Sequence, residues 1–338
     1  MKSPSATPGH VLVTGGAGFI GSHLVERLLA DGERVVVIDD VSTGNWRNLR
    51  AVRDDRALRC IESRVSACEE LNTLAHHAKA VVHLAAAVGV ELVVNSPIRT
   101  IETNLAETSA VLEAASRHGT LVLLASTSEV YGKSRRARFS EEDDLLIGPP
   151  HLGRWSYACS KLMDEFLALA HHRERGLPVI IARLFNTVGP RQTGRYGMVL
   201  PRFIAAARAG RPLRVHGDGS QTRCFCIVHD TVEALVRLLR CPAAVGQVVN
   251  VGSTEEVSIL ELARCVRREL GSRSRIVRIP YASAYAPGFE DMQRRRPDVG
   301  KLARLTGLHP CRKPAEVVRL TADLDSIKAK KKAPFRAP

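Results

Sequence analysis

Residues 14–21 read TGGAGFIG, directly after the apolar run HVLVT and leading into the amphipathic stretch FIGSHLVERLLADG. Gly15, Gly18 and Gly21 sit where a strand-like run becomes a helix-like one, so the chain must turn tightly into a helix N-terminus. Few architectures accept that junction near the start of a chain. The runs that follow narrow them further. RVVVID (34–39), AVVHLAA (80–86), TLVLLAS (120–126) and PVIIARLFN (178–186) are short, apolar on both faces and separated by helix-like segments. Strands of that kind belong in a parallel sheet covered by helices. The expected class is therefore α/β, a Rossmann-type doubly wound sheet.

After Asn186 the rhythm changes: a Gly-rich loop, the helix PRFIAAARAG and the strand PLRVHG precede a loop and strand around GDGSQTRCF. A helix at 259–270 and a strand at 275–280 complete a smaller C-terminal α+β lobe. The expected division assigns 10–187, rejoined by about 225–252, to a nucleotide-binding domain. Residues 188–224 and 253–327 form the substrate lobe, and 1–9 and 328–338 are flexible ends.

Glycines at a strand-to-helix turn let the backbone approach a pyrophosphate, and the helix N-terminus offers unpaired N–H donors. Asp39 lies 18 residues after Gly21, at the end of the second strand. A carboxylate there accepts from the ribose hydroxyls and repels a 2′-phosphate, so NAD is expected rather than NADP. SYACSKLMDEF then places Tyr157 and Lys161 four apart on one helix face. A phenol is too weak an acid to serve as a base unless neighbouring positive charge favours the phenolate. Lowering its pKa by about three units corresponds to roughly 4 kcal/mol.

Composition limits the other classes. A chain of 338 residues, 45% hydrophobic and 25% charged, is long enough for a large core and two unequal lobes. No apolar run approaches the roughly 20 residues of a membrane span. MKSPSATPGH lacks the apolar core of a secretory signal, so a cytoplasmic protein is expected. The eight cysteines form no CxxC pair and read as reduced thiols; Cys224 and Cys226 lack further ligands, so no metal is expected. The net charge of +14 invites a nucleic-acid partner. Much of it, however, lies in the tail IKAKKKAPFRAP and in a surface loop at Arg135, Arg136 and Arg138, and a diphosphate substrate also profits from a positive field.

TGGAGFIG, HLAAA, STSEVYG, YACSK and FNTVGPR, in that order, resemble the extended short-chain dehydrogenase/reductase family. Within it they resemble the NAD-dependent nucleotide-sugar epimerases, dehydratases and decarboxylases, from about residue 10 to 320. The resemblance implies NAD contacts from Gly15, Gly18, Phe19, Ile20, Gly21, Asp39, Ala85, Tyr157 and Lys161. It implies that Thr127 holds the sugar 4-hydroxyl, Tyr157 takes its proton and Lys161 orients the nicotinamide ribose. A homodimer through helices near 100–117 and 156–175 is implied too. One position departs: ESRVS puts Arg64 where relatives carry the acid that holds the adenine. Arginine cannot accept from the adenine amino group but can stack on the ring.

Glu129, directly after Ser126, Thr127 and Ser128, then separates the reactions. A plain 4-epimerase needs no carboxylate near C5, whereas two family reactions use one there. In 4,6-dehydratases it takes the C5 proton; in UDP-glucuronate decarboxylases, with Ser128, it assists CO₂ loss from a β-keto acid. GSQTRCF resembles the decarboxylase segment whose arginine, here Arg223, faces the substrate carboxylate as a bidentate partner. The resemblance also implies diphosphate contacts from Asn186 and from Arg295 or its neighbour Arg296, and Asp298 near the ribose. The expected function is UDP-glucuronate decarboxylation to UDP-xylose through a 4-keto intermediate. UDP-sugar 4-epimerisation and 4,6-dehydration are the alternatives. A non-catalytic NAD- or nucleic-acid-binding relative is the rival class, and the intact Tyr157–Lys161 pair argues against it.

Overall fold

A computed structural model of the chain describes residues 9–87, 96–194, 198–280 and 292–323. The basic tail and most of both expected flexible ends lie outside them, as do residues 195–197 of the Gly-rich loop. Seven strands form one parallel sheet: β1 (His10–Thr14), β2 (Arg34–Asp39), β3 (Leu58–Glu62), β4 (Ala78–His83), β5 (Leu121–Thr127), β6 (Val179–Leu184) and, after four short strands elsewhere, Val248–Val251. Their spatial order is β3-β2-β1-β4-β5-β6 and then the Val248–Val251 strand. The order reverses direction between β1 and β4, which opens a crevice at the C-terminal ends of those strands.

Alternation along each strand feeds two cores. Val11, Val13, Val35, Val37, Val82 and Leu123 face the helices Phe19–Ala30 and Val228–Leu239. Leu12, Val36, Ile38, Val81, Val122 and Leu124 face the helices Leu71–His77, Pro97–Ser116 and Trp155–Arg175. Burial on both faces is why the strands read as continuous apolar runs. The sequence reading passed over β3 for the same reason in reverse. LRCIE lies at the sheet edge with Arg59, Cys60 and Glu62 exposed, so its apolar content is low.

The smaller lobe surrounds a third core, with Leu200, Phe203, Leu213, Val215, Phe225, Leu262 and Val317 among its members. β7 (Thr187–Val188) pairs with β10 (Cys226–Ile227), and β8 (Leu213–His216) with β13 (Ile276–Ile279). β9 (Thr222–Cys224) lies between β12 (Glu256–Ser258), antiparallel to it, and β14 (Arg294–Arg295), parallel to it. Ser258 accepts from the Glu261 N–H at 3.1 Å and so caps the helix Ile259–Glu269. Arg135, Arg136 and Arg138 are exposed, as a surface loop requires.

Candidate active site

At the end of β1, Gly15 has φ +72°, and a Cβ there would sit 2.7 Å from the Ala85 nitrogen. A Cβ on Gly21 would fall 2.1 Å from the Gly15 carbonyl oxygen. Neither position accepts a side chain, so the turn stays bare and close-packed. Gly18 N–H donates to that same oxygen at 3.1 Å. Asp39 closes the cradle from β2: its two oxygens accept from Ala17 N–H (2.9 Å) and Val41 N–H (2.8 Å). Burial raises the Asp39 pKa, and these two N–H bonds oppose it. Gly15, Gly18, Phe19, Ile20, Gly21, Asp39 and Ala85 all line one cavity of about 1330 Å³. A cradle that a Cβ would fill, with an acid at its ribose end, fits NAD. Arg64 is exposed and lines the cavity beside Val65 and Glu107.

The cavity continues to the end of β5 and the first turns of the Trp155–Arg175 helix, where Thr127, Ser128, Glu129, Tyr157 and Lys161 line it. Buried Glu165 joins these two elements: it takes the Ser126 hydroxyl from β5 and the Arg183 guanidinium from β6, with Nη2 to Oε2 at 2.8 Å. The Thr127 hydroxyl accepts from the Glu129 N–H at 3.2 Å and is hydrogen-bonded to Tyr157. Lys161 Nζ lies 2.8 Å from Oδ2 of the fully buried Asp164. From the sequence we expect positive charge from a nearby ammonium and from the bound nicotinamide to favour the Tyr157 phenolate; without the cofactor, the chain's own groups push the other way. Burial first, then the Glu129 carboxylate, push that phenol well above its ordinary value, while the Thr127 bond and Arg295 oppose them.

Glu129 is held between two arginines. Arg295 Nη2 donates to Oε1 at 2.6 Å, and Arg154 Nη2 donates to Oε2 at 3.3 Å. Burial raises the Glu129 pKa, but Arg295, Arg154 and Arg223 outweigh it and hold the carboxyl at about 2. Arg223 lines the same cavity, and the β9–β14 pairing sets it opposite Arg295. Arg295, expected at the diphosphate, here donates to Glu129 and to the Ser128 hydroxyl at 3.4 Å.

Asn186 lines the cavity, with φ +28°, and its amide donates to the Cys224 carbonyl at 3.2 Å. Asp298 is not brought to the cavity. Its Oδ1 accepts from the Gly300 N–H at 2.7 Å, just ahead of the Gly300–Thr306 helix. The sequence reading missed Arg154 and Asp164. Each lies three residues from a motif residue, Tyr157 or Lys161, and that helical spacing was the available signal.

The fold and this site define a class: an NAD-dependent enzyme of the short-chain dehydrogenase/reductase type, with its tyrosine lining the cavity that holds the glycine cradle. Residues 11–252 match the NAD dependent epimerase/dehydratase family, and the chain belongs to it. A UDP-N-acetyl-α-D-glucosaminuronate decarboxylase of Bacillus cytotoxicus is 41% identical over 88% of this chain and 92% of that protein. UDP-glucuronic acid decarboxylase 1 of Danio rerio is 37% identical over 89% of this chain and 68% of that one. Among solved structures, a UDP-glucuronic acid 4-epimerase of Bacillus cereus, in complex with UDP-glucuronic acid and NAD, aligns with a TM-score of 0.83. It is 27% identical, and the alignment covers 94% of this chain and 99% of that one. Among the described residues no helix is long and apolar enough to cross a membrane.

Proposed function

We propose that the protein decarboxylates a UDP-hexuronate, UDP-glucuronate in the leading case, to give UDP-xylose. One observation carries the reading: Arg154, Arg223 and Arg295 gather around Glu129 at the end of the cavity beside Tyr157. Three guanidinium groups facing one carboxylate suit an anionic sugar and gain little from a neutral hydroxymethyl. Thr127 holds the sugar 4-hydroxyl and Tyr157 takes its proton. When bound in the cradle, NAD supplies the acceptor and later the donor of the C4 hydride, and a positive charge near Tyr157. With C4 as a ketone, the substrate is a β-keto acid. The C5–C6 bond breaks, its electron pair passes into the C4 enolate, and CO₂ leaves. A proton is then added at C5, and Tyr157 returns its proton to O4 as the alcohol reforms.

The sugar has a second candidate, UDP-N-acetylglucosaminuronate, favoured by the 41% identity to the Bacillus decarboxylase. Product mass after incubation with NAD and either uronate tests both. Loss of one CO₂ supports the reading, and an isomer of unchanged mass supports 4-epimerisation instead. We infer a homodimer through the Pro97–Ser116 and Trp155–Arg175 helices, supported by the exposed apolar side chains Met163 and Phe166 on the second. A cytoplasmic location agrees with eight free cysteines.

A further inference from the structure

Thr14, His83, Thr108, Asp164 and Lys161 run from the wall of the glycine cradle to the catalytic helix, and none is more than 2% exposed. Thr14, the last residue of β1, has its Oγ1 2.7 Å from His83 Nδ1 and accepts from the Ala85 N–H at 3.3 Å. His83 Nε2 lies 3.2 Å from Thr108 Oγ1 on the Pro97–Ser116 helix. The Thr108 hydroxyl bonds the Asp164 carboxylate, and Asp164 Oδ2 accepts from Lys161 Nζ at 2.8 Å. Asp164 Oδ1 is buried with no partner among the described residues. A carboxylate buried so deeply and left half-satisfied is costly to fold.

One set of hydrogens fits this chain. A backbone N–H only donates, and an ionised carboxylate only accepts. With Thr108 donating to Asp164, its oxygen accepts from His83 Nε2–H, and Nδ1 is left to accept from the Thr14 hydroxyl. Burial, with Lys161 close by, lowers the His83 pKa to about 3, so the imidazole is neutral and carries one hydrogen.

We propose that Asp164 is a positioning residue for C4 oxidation: it fixes the Lys161 ammonium at the end of a buried hydrogen-bonded chain anchored on the wall of the cradle. The proposal rests on the Tyr157–Lys161 reading of that step and is independent of which sugar is bound. Through this chain the glycine turn and the catalytic helix keep one register. The Asp164 charge acts on the phenol as well. Burial and Glu129 raise the Tyr157 pKa, and Asp164 adds to them.

The test pairs spectroscopy with kinetics. Long-range nitrogen–proton NMR correlation of the His83 ring is expected to show hydrogen on Nε2 and none on Nδ1, unchanged from about pH 5 to about pH 9. Asp164→Ala is expected to lower kcat about 30-fold while NAD affinity, titrated by calorimetry, stays within about twofold. Asp164→Asn keeps an acceptor oxygen for Lys161 and Thr108 and recovers most of that loss. It also removes a negative charge, so the acid limb of its kcat profile moves about half a unit to lower pH. Thr108→Val breaks the chain but leaves the charge, so kcat falls with the acid limb in place. Where loss of the buried counter-ion unfolds Asp164→Ala, Thr108→Val carries the same comparison. His83 from β4, Glu129 after β5, Arg183 from β6, Arg295 from β14, and Tyr157 and Glu165 on the same helix surround the pair and are intact in all three variants.

Hydrogen on His83 Nδ1 in the wild type breaks the chain and overturns the proposal. So does a kcat within about twofold of wild type in Asp164→Ala or Thr108→Val, or an acid limb that stays in place in Asp164→Asn. Parallel loss of NAD affinity and kcat in both Asp164 variants makes Asp164 a packing residue and overturns it too. Lys161→Met separates the two readings: turnover that survives it removes the dyad itself. Turnover lost there but intact in both Asp164 variants keeps the dyad and withdraws only the positioning role.

Discussion

The cofactor end and the sugar end of the cavity are built by opposite means. At the cofactor end the surface is backbone, supplied by the stretch from Gly15 to Asp39 with Ala85 behind it, and its fit depends on absent side chains. At the sugar end it is side-chain charge: Glu129 meets Arg154 from a helix start, and Arg295 from a strand 166 residues away. The first end has almost no freedom to vary. The second can change its charge balance while the fold stays the same, which suits a family whose members share a cofactor and differ in reaction. Damage to the first should therefore abolish binding, and damage to the second should redirect or slow the chemistry.

The largest effect is expected at Gly21. Gly21→Val sets a side chain against the Gly15 carbonyl and should abolish NAD retention, read by cofactor titration. Retained NAD would break the contrast. Next comes Tyr157→Phe, which should cut turnover about 10³-fold while NAD still binds. Full activity in that variant would remove the mechanism. Glu129→Gln should slow CO₂ loss about 10²-fold and leave C4 oxidation, seen as NADH absorbance, in place. Equal loss of both steps would make Glu129 a scaffold residue.

A smaller effect belongs to Asp39. Asp39→Asn keeps one acceptor oxygen but removes the charge that repels a 2′-phosphate, so NADP affinity should rise about tenfold relative to NAD. An unchanged ratio would place NADP rejection elsewhere. The smallest effect is acid stability. Glu129 has its pKa lowered from 4.5 to about 2, so its ion pairs stabilise the fold above about pH 4.5 and are lost as pH falls toward 2. Urea midpoints for wild type and Glu129→Gln should differ at pH 6, draw together below about pH 4.5 and converge only near pH 2; parallel curves would contradict the pairing.

Legibility in the sequence follows the same division. Gly15, Gly18, Gly21 and Asp39 could be read because a backbone cradle is local and its glycines are a steric necessity. The apolar runs of β1, β2, β4, β5 and β6 could be read because both of their faces are buried. Arg154 was not read as part of the site: its spacing of three from Tyr157 was the one local signal, and it does not by itself mark an arginine as the partner of Glu129. Arg295 was assigned to the diphosphate by resemblance, and its nearness to Glu129 was not legible because it depends on β14 pairing with β9. Asp298 had the composition of a ligand but spends its oxygen on the Gly300 N–H. Lys161 was expected to orient the nicotinamide ribose, and only the packed structure shows buried Asp164 beside it.

The most direct test follows one UDP-glucuronate through the NAD-loaded enzyme in D₂O, with product mass and C5 proton NMR as readouts. The account predicts a product that has lost one CO₂ and carries one deuterium at C5. An isomer of unchanged mass with its original C5 hydrogen would contradict it, and would leave the arginines around Glu129 as binding groups for an epimerase.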